Sequence, residues 1–64
     1  MALEIKLARE LQGMKQIDLA VVSGIPNYRL SLLETGRKDP TPAELFKLKK
    51  LLPALSKVKK LLDD

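Results

Sequence analysis

Sixty-four residues leave room for one domain at most, and the absence of cysteine and histidine excludes disulfides, thiolate metal sites and the usual general base. A net charge of +4, from twelve Lys+Arg against eight Asp+Glu, suits a polyanionic partner without demanding one. No run approaches the ~20 apolar residues of a membrane span, and the N-terminus alternates charged with apolar residues instead of presenting a secretory leader, so a cytoplasmic setting is expected.

The first predicted helix runs from Ala2 to Gln12, with Gly13 as its stop. It carries two apolar stripes: Leu3, Leu7, Leu11 and Met14 on one side, and Ile5, Ala8, Arg9 and Gln12 on roughly the other. Both cannot meet one neighbour. Either the helix is sandwiched between its neighbours, the reading preferred here, or the leucine stripe meets something outside the chain.

A second helix is expected over Gln16–Ser23, with Leu19, Ala20 and Val22 inward. Gly24 can close it in the left-handed conformation, and Pro26 suits the start of a new helix. The third helix runs from Asn27 to Thr35 and ends at Gly36. At 100° per residue Leu30, Leu33 and Glu34 share one side, while Tyr28 and Leu32 point the other way, flanked by Arg29 and Ser31. An aromatic, an aliphatic and a guanidinium on one outer face imply that something docks there. Two short helices hinged on a glycine are a helix-turn-helix in sequence form.

Thr35 to Pro42 reads as a loop, with Thr41 as N-cap and Pro42 at the first helical position. The fourth helix covers Pro42–Leu51 and buries Leu45, Leu48 and Leu52. Pro53 breaks it, since a residue before proline is pushed out of the α region. A last helix over Ala54–Leu62 has Leu55, Val58, Leu61 and Leu62 on one face and Lys57, Lys59 and Lys60 on the other. Asp63 and Asp64 oppose its C-terminal dipole, so fraying is expected there.

Gln16, Ala20, Gly24, Leu30, Leu33-Glu34 and Gly36, with Arg9 upstream and Pro40-Thr41 downstream, resemble the repressor/Cro-like (Xre-type) DNA-binding family of phages and bacteria. The resemblance spans about Ile5 to Leu52. It implies an all-α, compact, repressor-like bundle of four to five short helices, filling residues 1–64 as a single helix-turn-helix DNA-binding domain. The implied function is a sequence-specific double-stranded DNA-binding transcriptional regulator, a repressor acting as a homodimer. Two positions depart from the pattern. Lys49 stands where a small apolar residue is usual, and Leu52-Pro53 replaces the glycine that ends the fourth helix.

On that footing each candidate residue takes a role. Gln16, at the start of the second helix, meets phosphate beside Lys15, because helix N-termini offer N–H donors and partial positive charge. Asn27, Tyr28, Arg29, Ser31 and Leu32 form the face that reaches base edges, Asn27 for adenine, Arg29 for guanine or phosphate, Leu32 for a thymine methyl. Arg37 and Lys38 contact the phosphate backbone. By the resemblance, Arg9 and Glu34 form a structural salt bridge, and Leu61 and Leu62 are the candidate dimer contact. No catalytic residue, cofactor or metal is expected. The alternative is a protein-interaction module, such as an antitoxin or a phage-encoded adaptor, binding a protein partner through Tyr28 and Leu32 or through Leu3, Leu7 and Leu11.

Overall fold

Three glycines with φ between 70° and 77° (Gly13, Gly24 and Gly36) close the first three helices of the chain. A computed structural model describes residues 2–62, and of Lys59, Leu61 and Leu62 the backbone alone. Five helices follow in order: α1 (Ala2–Leu11), α2 (Gln16–Ser23), α3 (Asn27–Glu34), α4 (Pro42–Leu51) and α5 (Ala54–Leu62). The dimer contact expected through Leu61 and Leu62, and the fraying at Asp63 and Asp64, lie outside the described side chains and residues.

Helix α1 packs on both α5 and α3, as a sandwiched helix would. Ile5, Ala8 and Arg9 are buried on it. Arg9 reaches Glu34 of α3, while Gln12, just past the helix, reaches the α4–α5 junction. The leucine stripe is only half used. Leu7 and Met14 pack against the core, whereas Leu3 and Leu11 remain 53% and 65% exposed.

In α2 the inward residues are Leu19 and Ser23, with Gln16 and Ala20 half-buried. Val22, expected inside, is exposed. The helical wheel gives the reason: the arc from Leu19 through Ser23, Gln16 and Ala20 has its centre about 110° away from Val22. After α2 the chain turns through Gly24 at φ 72°, whose N–H donates to the Ala20 carbonyl at 3.0 Å. The Ser23 hydroxyl accepts from the Ile25 N–H at 3.1 Å. Ile25, now at the corner, is buried in the core and locks the crossing of α2 and α3.

Pro26 stands at φ −56°, ψ 145°, and its carbonyl accepts from the N–H groups of Arg29 and Leu30. Leu30, Leu33 and Glu34 are buried on the inner side of α3. The helix ends at Glu34, with Thr35 as its cap: the Thr35 N–H and hydroxyl both donate to the Ser31 carbonyl, and Gly36 at φ 77° turns the chain away. In α4, the Thr41 hydroxyl accepts from the Glu44 N–H and the Glu44 carboxylate accepts from the Thr41 N–H, which makes a complete capping box. Leu48 and Leu52 are fully buried, but Leu45 is only half-buried.

The two departures from the family pattern are absorbed locally. Lys49 points outward and is exposed, so it leaves the packing of α4 undisturbed. Leu52 ends α4 at φ −119°, ψ 73°, and with φ negative no glycine is needed. Its carbonyl accepts from the Leu55 N–H, and the Gln12 side-chain amide splints the break. That amide donates to the Leu51 carbonyl and accepts from the Ala54 N–H, both at 3.1 Å. Helix α5 then returns Leu55 and Val58 to the core and leaves Lys57 and Lys60 exposed.

Candidate nucleic-acid interface

Three elements meet at one buried carboxylate. Arg9 Nε donates to Glu34 Oε2 at 2.8 Å and Nη2 to Oε1 at 3.1 Å, a two-pronged pair in which both residues are less than 10% exposed. The remaining Arg9 nitrogen donates to the Met14 carbonyl at 2.8 Å. Hydrogen bonding to Glu34 raises the Arg9 pKa further, so the guanidinium stays charged although burial opposes it. The Gln16 amide nitrogen approaches Glu34 Oε1 at 3.3 Å. The end of α1, the start of α2 and the end of α3 are thereby fixed to one another.

The Gln16 side chain, expected to meet phosphate, is half-buried, with one amide N–H engaged with Glu34. Lys15 precedes it as the exposed N-cap, and its N–H donates to the Asp18 carboxylate at 2.9 Å.

On the outer side of α3, Asn27, Tyr28 and Ser31 are exposed, with Tyr28 at 72%. Leu32 is only half-buried toward this side, where the chain turns back and the N–H groups of Arg37 and Lys38 both bond its carbonyl. Arg37 and Lys38 themselves are exposed beside the end of α3.

Arg29 is not free on this face. Its Nε and Nη2 donate to the two Glu44 oxygens at 2.9 Å each, and Nη2 also donates to the Asp39 carbonyl at 3.2 Å. The capping box presets the carboxylate that captures it. The sequence alone gives Arg29 to guanine or a phosphate and Glu44 no role, although the Thr41-x-x-Glu44 spacing of a capping box is readable in it.

The pair has a pH signature. Hydrogen bonds from Arg29 and then from Thr41 pull the Glu44 pKa from 4.5 down to about 2. A carboxylate with a depressed folded-state pKa stabilises the fold fully above its unfolded pKa, and that contribution is lost as pH falls through the folded value. Urea melts between pH 5 and pH 2 should show stability declining, with a shallower decline in Glu44→Gln than in the wild type. Identical slopes would remove the pair from the account.

A helix-turn-helix family model matches residues 5–56. The chain belongs to this family. Its members are Cro-type, Xre-like helix-turn-helix proteins, and membership makes this protein a DNA-binding transcriptional regulator with double-stranded DNA as its ligand. The family is not typically enzymatic. Comparison with curated proteins and with solved structures gave no match. Among the described residues no helix is long and apolar enough to cross a membrane, and no cluster of His, Cys, Asp or Glu is arranged to hold a metal ion.

Proposed function

We propose that the protein is a sequence-specific repressor of the cytoplasm or nucleoid that binds as a homodimer, with α3 in the major groove of each half-site. The observation that carries this reading is the two-sidedness of α3. Leu30, Leu33 and Glu34 are buried on one side, while Asn27, Tyr28 and Ser31 are exposed on the other. A helix about 10–12 Å across fits the major groove, and polar side chains on its outer face reach base edges.

Asn27 takes adenine, Tyr28 a phosphate or a thymine methyl, Ser31 a base edge, and Leu32 a methyl at the margin. Arg37 and Lys38 hold phosphates beside the end of α3, and Lys15 holds one at the start of α2. Gln16 adds to that contact through its helix-terminal backbone N–H and the second N–H of its side-chain amide, the first being engaged with Glu34. Arg29 leaves the reading set because Glu44 occupies it. A two-fold dimer would place half-sites about one helical turn apart and occlude polymerase by occupancy.

Selection of bound sequences from a randomised duplex pool tests the reading. Asn27→Ala should relax preference at a single base pair by about 1–3 kcal/mol, whereas Arg37→Ala should weaken binding to every sequence alike. A pool that yields no preferred sequence would overturn it.

A second reading, a protein-interaction module on the same fold, draws on the exposure of Leu3 and Leu11 of α1 and of Tyr28. It predicts a tight protein complex whose affinity is indifferent to salt.

A further inference from the structure

The loop between α3 and α4 carries both proposed phosphate contacts, Arg37 and Lys38, yet contains no regular structure from Thr35 to Thr41. Its position is nonetheless tied at three points. At its start, the N–H groups of Arg37 and Lys38 bond the Leu32 carbonyl at 3.0 and 3.3 Å. In its middle, the Asp39 carbonyl accepts from Arg29 Nη2 at 3.2 Å. At its end, the Thr41 N–H donates to Glu44 Oε1 at 2.9 Å, the same oxygen that receives Arg29 Nη2.

We propose that Arg29 is a positioning residue: with Glu44 it clamps the 35–41 loop to α3 and so sets where Arg37 and Lys38 stand relative to the recognition face. The inference rests on the phosphate roles proposed above for Arg37 and Lys38. Two further facts support it. The pair is partly desolvated, with side chains 23% and 17% exposed, so its geometry is defined by more than surface charge. A departure of Arg29 toward a base would also leave the Glu44 carboxylate without its counter-charge next to a loop proposed to meet phosphates, and like charges repel. Both effects favour an arginine that holds the loop over one that reads sequence.

The test compares wild type, Arg29→Ala and Glu44→Gln in two measurements. The first is affinity for a duplex selected from the randomised pool and for a duplex of arbitrary sequence. The second is amide hydrogen exchange at Arg37 and Lys38 in the free protein. The clamp predicts that each variant loses about fivefold in affinity on both duplexes alike, and that both amides exchange faster. Glu44→Gln weakens binding even though it removes a negative charge. An arginine that reads sequence predicts the reverse: Arg29→Ala relaxes preference at one base pair, and Glu44→Gln tightens binding by releasing Arg29. Either of those results, or unchanged exchange at Arg37 and Lys38, overturns the clamp. Should the wild type bind neither duplex, the DNA-contact reading fails, and the exchange measurement alone decides whether the loop is clamped. Glu44→Gln keeps the size of the capping side chain and one acceptor oxygen, which covers the case in which Arg29→Ala does not fold.

Discussion

Glu34→Ala is expected to remove about 3 kcal/mol of stability, because it leaves the Arg9 guanidinium buried without its counter-charge. The figure sits at the low end for a buried pair, since the two side chains keep 11% and 4% exposure and solvent screens part of the charge. A domain of this length has roughly 3–10 kcal/mol in total, so the loss takes a large share of it. The effect spreads because Glu34 also receives Gln16, so the same substitution loosens the start of α2. Urea denaturation measures it directly. Exchanging both partners together, as Arg9→Met with Glu34→Leu, should recover much of the loss, because no unpaired charge is then left inside. A Glu34→Ala midpoint close to wild type would mean that the pair does not organise the motif.

The second large effect concerns salt. With Lys15, Arg37 and Lys38 each neutralising a phosphate in both protomers of a dimer, the logarithm of affinity should fall with the logarithm of salt at a slope of about −5. Between 50 and 200 mM salt that amounts to roughly a thousandfold. Replacing Arg37 and Lys38 together with alanine should bring the slope to about −2, with base preference retained. Fluorescence anisotropy on a labelled duplex checks both values. An affinity that does not respond to salt would favour the protein-partner reading.

The parts of this fold that were legible in the sequence are those set by neighbours along the chain. The bounds of α2, α4 and α5 coincide with the predicted ones, because they follow from local signals: a glycine able to take φ of 72°, a threonine cap before Pro42, and a proline that stops α4. The inner side of α3 was likewise fixed by angle alone, through Leu30, Leu33 and Glu34. What the sequence did not display depends on partners far away in it. Arg29 points along the outer half of α3, and only the tertiary fold brings Glu44, fifteen residues on, within reach of it. Gln16 has the composition of a surface residue, but the crossing of α2 and α3 delivers Glu34 to its amide. Ile25 follows the hinge glycine like any turn residue, yet the corner drives it into the core. Val22 and the Leu3/Leu11 stripe show the limit of helical periodicity. It says which residues share a face, not how wide an arc the neighbours cover.

The central claim is that the outer face of α3, with the loop that follows it, enters the groove. The measurement that meets it most directly is a titration of the labelled protein with its selected duplex, followed by amide chemical shifts. The account predicts perturbations concentrated on residues 27–32, at Arg37 and Lys38, and at Lys15 and Gln16 at the start of α2, with the outer surface of α5 unmoved. Shifts confined to α1 and α5, with the Asn27–Leu32 amides unchanged, would contradict it.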